Sequence, residues 1–450
     1  MWTQRQAEVG GFTIEPCCGH WAWQHRDVPT QGFFSELQER GLIHDSTDPG
    51  ALAARLDAAS IGVYVGFDPT ADSLHVGHLL GQLTLRRFQL AGHQPFPLAG
   101  GATGMVGDPS GRSEERNLLD EETLRHNVSC ITTQLEKLLD FSPGAAQARL
   151  VNNADWTSTI TALDFLRDIG KHITINQMLA KDSVRSRLNS ENGLSYTEFS
   201  YMLLQANDFK HLCEKFNVEL QLGGSDQWGN ITAGIDLIRK TLSKSAFGAT
   251  WPLVTRSDGQ KFGKTADGAV WLDPVRTSPY KFHQFWMQTT DDDALMHLPR
   301  FSLRSLDDIR NDMNAHRDAP EKRIAQRALA HEMTTLVHGQ QAATTVESVA
   351  SVLFGSDPTT ATIDAFEMLA GEVPTFTVGR AQLDDVVSLF VSTQLASSNS
   401  DARRTLAQKG FRANGTVIEG ESLADISLLH GRYVLARKGK SNYQLWVIEG

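Results

Sequence analysis

Apolar and polar blocks alternate along residues 61–99 in an order typical of an α/β domain. The apolar run over residues 61–67 ends in the turn Asp68-Pro69-Thr70 and predicts a buried strand. An amphipathic helix is expected over about residues 76–91, where Gly92 stops it, and residues 95–99 predict a second strand. Strand, helix and strand in this order form a βαβ unit, so we expect a parallel sheet.

The same alternation continues in the next part of the chain. Helices are expected near residues 163–181 and 197–216. A strand is predicted over 218–222, where it runs into Gly223-Gly224-Ser225-Asp226, and another helix begins at about residue 231. These elements extend the predicted α/β domain.

The last third of the chain has a different pattern. Residues 278–350 are helical and charged, whereas residues 371–379 contain Pro, Gly and Thr without periodicity and predict a linker. Beyond the linker, residues 384–450 predict a small unit in which two helices precede strands at 431–436 and 443–448.

Composition places the chain among globular proteins. It has 450 residues, of which 40% are hydrophobic and 21% charged, so two to four domains are expected. The net charge of −11 argues against general polyanion binding, but the last fifty residues hold eight Arg or Lys against five acids. No apolar run is long enough to span a membrane.

The four cysteines are scattered and form no CxxC pair, which favours reduced thiols and a cytoplasmic location. The first 32 residues lack the apolar segment of a secretory signal, so we expect a poorly ordered extension. Cys17, Cys18 and His20 lie close together there, but they lack a fourth ligand, so no metal site is predicted.

The motif His75-Val76-Gly77-His78 stands at the start of the first predicted helix. Residues three apart share one face, so both imidazoles can point at one ligand. A helix N-terminus attracts phosphate, and Gly77 lets a flat base approach the backbone. Two surface histidines, or half of a metal site, would give the same pattern.

A second motif, Lys261-Phe262-Gly263-Lys264-Thr265, lies in a polar, glycine-containing stretch over residues 257–268. Two lysines and a hydroxyl on a mobile loop could close over a polyphosphate. An exposed, solvated loop is the plain alternative.

Together the two motifs resemble the paired signatures of class I aminoacyl-tRNA synthetases, which implies a Rossmann-like catalytic domain. The segments between them are similar to those of bacterial tyrosyl-tRNA synthetases, and the resemblance runs from about residue 33 to 450. The matching segments are residues 64–75, Gly100-Gly101-Ala102-Thr103-Gly104 with residues 107–111, residues 201–208, and Gly223-Gly224-Ser225-Asp226-Gln227-Trp228-Gly229-Asn230.

Tyr201, Gln205 and Asp208 stand at positions i, i+4 and i+7, which places them on one face of the predicted helix. By pattern alone this polar stripe would be a solvated face. The resemblance implies instead that it faces tyrosine. The implied tyrosine-binding residues are Tyr64 and Asp208 at the phenol, Tyr201, Gln205 and Asp108 at the amino group, and Gln221 and Gln227 near the carboxylate.

On the ATP side the resemblance also implies a set of contacts. Asp226 would bind the ribose, Gly66 and Gly224 would lie against the nucleoside, and His78 would face the ribose and reacting centre, with Gly77 among the ATP-binding residues. Asp68 would lie near the α-phosphate or ribose. Phosphate contacts are implied for Thr70 and His75, and for Lys261, Lys264, Thr265, Arg112 and Arg116.

Two positions depart from the pattern of relatives. Position 112 is Arg where many relatives have Lys, which keeps the charge but changes the hydrogen-bond geometry. Gly81 has no side chain where relatives often place a contact near the ribose.

The C-terminal unit resembles the S4-type RNA-binding module, with Arg403, Arg404 and Lys438 as the implied RNA contacts. The turn Ala413-Asn414-Gly415 also carries this likeness. Short basic stretches are also common on solvated surfaces.

These readings give six predicted segments. They are an N-terminal extension (1–32), a Rossmann-like catalytic domain with a dimerisation insertion (33–255), a mobile loop (256–277), a helical tRNA domain (278–366), a linker (367–383) and an S4-like domain (384–450).

The resemblance implies that L-tyrosine and ATP form an adenylate, with Mg²⁺ carried by the ATP phosphates, and that tyrosine then passes to its tRNA. It also implies a homodimer, no membrane association and no tightly bound cofactor. The alternatives are a tryptophanyl-tRNA synthetase, which shares the fold and both motifs, and an RNA-binding protein on an inactive synthetase scaffold.

Overall fold

A computed structural model describes residues 32–449 except 111–118, 182–183, 186–187, 189–193 and 266–267, and omits the side chains of Lys264 and Thr265. The expectations for the N-terminal extension, with Cys17, Cys18 and His20, lie outside the described residues apart from Gly32. Arg112 and Arg116 lie outside them too.

The predicted βαβ unit forms the centre of a six-stranded sheet with the order β1-β6-β5-β2-β3-β4. All neighbours are parallel except β1 with β6. The strands are β1 (Asp45–Ser46), β2 (Gly62–Phe67), β3 (Gln94–Ala99), β4 (Val151–Asn152), β5 (Val218–Gly224) and β6 (Phe247–Trp251). The three predicted strands are therefore confirmed. Strand order reverses between β2 and β5, and such a reversal opens a crevice at the carboxyl ends of the strands.

Helices cover both faces of this sheet. They are α1 (Phe33–Glu39), α2 (Pro49–Ala58), α3 (Val76–Leu90), α4 (Glu121–Leu138), α5 (Ala154–Thr157), α6 (Ala162–Asp168), α7 (Ile175–Leu179), α8 (Tyr196–Phe216) and α9 (Trp228–Leu242). The prediction of one helix over 163–181 is wrong. The chain breaks after α6, and the Thr174 hydroxyl then caps α7 by accepting from Gln177 N at 3.2 Å.

Six further helices form the predicted helical unit. They are α10 (Pro279–Met287), α11 (Asp291–Phe301), α12 (Leu306–Asp318), α13 (Ile324–His338), α14 (Gln340–Leu353) and α15 (Ile363–Ala370). The buried apolar residues of α10 to α13 belong to the same core as the sheet and α3. Arg87, buried in α3, donates to Arg300 O at 2.7 Å and Ser302 O at 2.6 Å. The guanidinium thereby ties the C-terminus of α11 to the catalytic domain.

The C-terminal unit is a five-stranded sheet with the order β11-β10-β12-β13-β9 and two helices. Its elements are β9 (Thr375–Gly379), α16 (Val386–Ser392), α17 (Asn399–Ala407), β10 (Phe411–Ala413), β11 (Thr416–Val417), β12 (Tyr433–Lys438) and β13 (Asn442–Glu449). The predicted linker over 367–383 is wrong, because β9 pairs in parallel with β13. An apolar cluster that includes Val349, Phe366, Tyr433 and Leu445 joins α14 and α15 to this sheet.

Two-residue strands β7 (Lys264–Thr265) and β8 (Gly268–Ala269) form a hairpin between the catalytic domain and α10. None of the helices in the described part of the chain combines the length and apolar character that crossing a membrane requires.

Candidate active site

Asp68 lies in the turn after β2, where the strand ends meet. Its carboxylate accepts from the Thr103 hydroxyl at 2.8 Å and from the Tyr201 hydroxyl at 2.9 Å. A Cβ at Gly100 would lie 2.3 Å from Asp68 Oδ1 and 2.5 Å from Thr103 Oγ1. Because position 100 is glycine, the backbone after β3 can lie directly against the Asp68 carboxylate. A side chain at this position would prevent that approach.

The two histidines of the HxGH motif do lie side by side at the N-terminus of α3. Their rings stack with centroids 3.9 Å apart, and Gly77 N donates to His75 Nδ1 at 3.1 Å. A Cβ at Gly77 would lie 2.8 Å from His75 Cε1, so this position needs glycine. The positive end of the helix dipole lies at this point and is suited to a phosphate. Thr70 is exposed in the preceding turn.

The second motif lies against the first. Val270 N donates to Gly263 O at 2.9 Å and Val76 N donates to Val270 O at 2.9 Å. Gly263 has a φ of +83°, and a Cβ there would lie 3.2 Å from Val76 Cβ. Tertiary structure thus brings the lysine loop to the start of α3, as one phosphate site requires.

Packing and backbone hydrogen bonds hold Phe262 and Gly263 within the predicted mobile loop. The Phe262 ring is 5% exposed and packs against His297 and Phe285, with centroids 4.1 and 4.9 Å away. Phe262 N also donates to Val254 O at 3.0 Å. Lys261 itself is exposed. Burial, and then the charge of Asp108, raise the pKa of Asp226, and the positive charge of Lys261 opposes this shift.

Asp208 and Tyr64 form a buried end of the cleft. Asp208 accepts from Trp156 Nε1 at 2.9 Å and from Asn153 Nδ2 at 3.0 Å. Burial raises the pKa of Asp208 to about 7, although these two N–H donors oppose the shift. Burial, and then the Asp208 charge, also raise the pKa of Tyr64 well above its usual range. The buried carboxylate is suited to accepting a phenolic O–H.

Sequence reasoning missed Asn153 and Trp156. Both follow β4, a two-residue strand too short to show a period. Leu150-Val151 followed by two asparagines is the signal that could have marked a strand end. Asn153 also donates to Thr103 Oγ1 at 3.0 Å, so hydrogen bonds run without a break from Asp68 to Asp208.

Amide side chains surround Asp108 on the other side of the cleft. Asp108 accepts from Gln227 Nε2 at 2.7 Å and from Ser110 N at 2.9 Å. Asn230 Nδ2 donates to Oε1 of both Gln205 and Gln227 at 3.0 Å. Asn230 stands in a motif that the sequence matched without giving this residue a role.

The remaining predicted residues lie at the ends of β2 and β5. Gln221 is buried, and its Oε1 has no hydrogen-bond partner among the residues that the structure describes. Gly66 is the one exposed residue of β2, so its backbone is accessible. A Cβ at Gly224 would lie 2.7 Å from Asp226 Oδ1. A Cβ at Gly81 would meet Trp251 at 3.4 Å, so that ring already fills much of the space left by Gly81.

The three predicted RNA contacts lie near one another, but each is paired with an acid. Lys438 Nζ and Arg404 Nη2 both contact the Asp401 carboxylate at 2.8 Å, and Arg403 lies 3.8 Å from Glu421. Hydrogen bonding from Lys438 holds the pKa of Asp401 well below its usual range. The basic surface is therefore weaker than the sequence indicates, although Arg403 and Arg404 remain mostly exposed.

Known families match both parts of this arrangement. The family described as class I tRNA synthetases for Trp and Tyr matches residues 57–355, and the tyrosine–tRNA ligase SYY-like C-terminal domain matches residues 365–446. The tyrosine–tRNA ligase of Opitutus terrae is 50% identical, over 91% of this chain and 97% of that protein. The one from Roseiflexus castenholzii is 47% identical, over 91% of this chain and 98% of that protein.

A solved structure is also similar. The C-terminally truncated mitochondrial tyrosyl-tRNA synthetase of Aspergillus nidulans has a TM-score of 0.65 and 34% identity, over 72% of this chain and 94% of that one. A parallel sheet with both motifs at the start of α3 defines a class I tRNA synthetase. Within that class, the chain belongs to the tyrosine–tRNA ligase family. The resemblance drawn from the motifs is confirmed, and the tryptophan alternative is not supported.

Proposed function

We propose that the crevice between β2 and β5 activates L-tyrosine with ATP and then passes the tyrosyl group to the 3′-terminal ribose of the cognate tRNA. The observation that carries this proposal is the continuous polar network from Asp68 to Asp208. It connects a buried acceptor suited to a phenol with the turn beside the phosphate-binding end of α3.

In this reading the tyrosine side chain lies between Tyr64 and Asp208, with its phenolic O–H donating to Asp208. The amino group is held by the acceptors Asp108, Tyr201 and Gln205. Gln221 and Gln227 lie near the carboxylate, which is left free to attack the α-phosphorus of ATP.

ATP binds across the strand ends. The nucleoside lies against Gly66 and Gly224, with Asp226 at the ribose, and Gly77 and His78 face the reacting centre. Asp68 lies near the α-phosphate or ribose. The polyphosphate is contacted by Thr70, His75, Lys261, Lys264 and Thr265, and by Arg112 and Arg116.

The carboxylate of tyrosine attacks the α-phosphorus and pyrophosphate leaves, so negative charge moves onto the leaving group. Cations and the positive end of the α3 dipole positioned there stabilise the transition state more than the ground state. Mg²⁺ would accompany ATP, held chiefly by the ATP phosphates, and would neutralise part of their charge.

A homodimer is part of the proposal. Six large apolar side chains are exposed among the described residues between 163 and 196, where the insertion lies. They are Leu163, Leu166, Ile175, Leu179, Leu188 and Tyr196. Burial of exposed apolar side chains in a second subunit would favour a dimer. A monomeric mass at micromolar concentration in sedimentation equilibrium would contradict the dimer. We also place the protein in the cytoplasm, where the free thiols Cys130 and Cys213 would stay reduced.

The assay is ATP–pyrophosphate exchange with tyrosine, tryptophan and phenylalanine. Tyrosine alone should support fast exchange, since phenylalanine would leave Asp208 without the phenolic donor. Tyrosyl-tRNA synthetases are themselves the standard example of this discrimination, at about 10⁵, so that magnitude belongs to the family. Comparable turnover of phenylalanine would refute the pocket assignment, and no exchange at all would favour the inactive scaffold.

A further inference from the structure

Lys181 and Asn230 lie behind the polar residues of the tyrosine site. We propose that Lys181 is a positioning residue that acts through Asn230 to fix how Gln205 and Gln227 are oriented towards tyrosine. The inference rests on the proposed function, because it assigns these two glutamines to the amino acid.

The direction of the hydrogen bonds carries the argument. Lys181 Nζ donates to Asn230 Oδ1 at 2.5 Å. An ammonium group can only donate, so the amide of Asn230 must turn its oxygen to Lys181 and its nitrogen away. That nitrogen donates to Oε1 of Gln205 and of Gln227, each at 3.0 Å.

The same polarity continues to the substrate side. Because the oxygen of Gln227 accepts from Asn230, its nitrogen is free to donate to Asp108 Oδ2 at 2.7 Å. A flipped Asn230 would place its oxygen against two glutamine oxygens. Both glutamines would then have to turn, and Asp108 would lose its amide donor. The donor-only side chain of Lys181 thus determines the orientation of the whole chain of amides.

The setting of Lys181 differs from that of a solvated surface lysine. Its stem lies along Gly229, where a Cβ would stand 2.9 Å from Lys181 Cε. Loss of hydration lowers the pKa of Lys181 to about 7, and the charge of Asp108 opposes this shift, so the donor-only ammonium form that orients Asn230 predominates below that pH.

The first test is Lys181→Met, which keeps the length of the side chain and removes the donor. In pyrophosphate exchange the KM for tyrosine should rise about tenfold, on the scale of one charged hydrogen bond, with kcat and the KM for ATP within about twofold. Lys181→Arg should recover most of the tyrosine affinity, because guanidinium is also donor-only. The matched control is Lys240→Met, whose ammonium contacts His172 O and Asp236 away from the amides.

A double-mutant cycle separates positioning from direct contact. Asn230→Ala should raise the KM for tyrosine about tenfold, and adding Lys181→Met should then change it by less than about twofold. An equal effect of Lys181→Met in both backgrounds would mean that the ammonium contacts the substrate itself, and would overturn the proposal.

Two further outcomes would also overturn it, namely an unchanged KM in Lys181→Met and a loss confined to tRNA charging. Tyrosine binding measured by calorimetry, with melting curves of every variant, distinguishes misfolding from mispositioning. Should Lys181→Met not fold, Lys181→Gln is measured in its place, with the same expectation of weakened tyrosine binding. Failure of the wild-type protein to exchange with tyrosine would instead refute the proposed function.

Discussion

Phe262 connects the lysine loop to the helical unit, and its removal is the sharpest test of how that loop works. The ring is 5% exposed and lies among His297, Phe285 and Trp286. Truncating a buried Phe to Ala costs about 3–5 kcal/mol. Two backbone hydrogen bonds, from Phe262 N to Val254 O and from Val270 N to Gly263 O, also hold the loop. They contribute about 0.5–1.5 kcal/mol each.

The ring is therefore the larger contribution, and the backbone bonds cannot replace it. Each 1.4 kcal/mol changes an equilibrium about tenfold, so even the lower end of that cost, about 3 kcal/mol, should make the seated loop about 10²-fold less populated in Phe262→Ala. We expect adenylate formation to slow by about that factor in pre-steady-state measurements, while the affinity for tyrosine is unchanged. Phe262→Leu should lose much less.

Phe411→Ala is the matched control, because Phe411 is fully buried and stacks on Phe390 in the C-terminal unit. It should lower the free energy of unfolding by a similar amount and leave adenylate formation unchanged. A normal rate in Phe262→Ala, with reduced stability, would show that catalysis does not need the loop to be seated. Equal slowing in both variants would point to general destabilisation.

Three further predictions follow from the same structure. Lys261→Ala and Lys264→Ala should each slow adenylate formation by about 10²–10³ with little effect on tyrosine binding, and wild-type rates would mean that the loop is not a transition-state clamp. Deletion of residues 356–450 should preserve pyrophosphate exchange and abolish tRNA charging. Deletion of residues 384–450 alone should give a less stable protein, because β9 loses its partner strand β13 and the apolar cluster around Phe366 is exposed. Burial lowers the pKa of His93, His283 and His297 to about 4. Their neutral forms are favoured in the fold, so stability is complete above pH 6.5 and is lost as the pH falls to 4, by about 3 kcal/mol for each histidine. Urea unfolding at several pH values measures this loss. In His283→Leu the slope of the unfolding free energy against pH should correspond to about one proton fewer.

The sequence by itself determined the elements of the central sheet and the family. Apolar runs and periods predicted β2, α3, β3, α8 and β5 within a few residues, because these elements are long and their burial is regular. The HxGH and lysine motifs, taken as a pair, indicated the family, which the match of the class I tRNA synthetase family to residues 57–355 confirms. The prediction of one helix over 163–181 failed, because the Thr174 cap competes with a weak helical pattern.

Tertiary structure alone decided how distant residues meet. Asp208 accepts hydrogen bonds from Asn153 and Trp156, which lie more than fifty positions earlier, and Lys181 donates to Asn230. Strand β9 pairs with β13. Hydrogen-bond direction and strand pairing depend on which surfaces lie opposite each other, and no local period encodes that. For the same reason the sequence showed Phe262 as part of a mobile loop, whereas the fold encloses its ring in aromatic side chains contributed by α10 and α11.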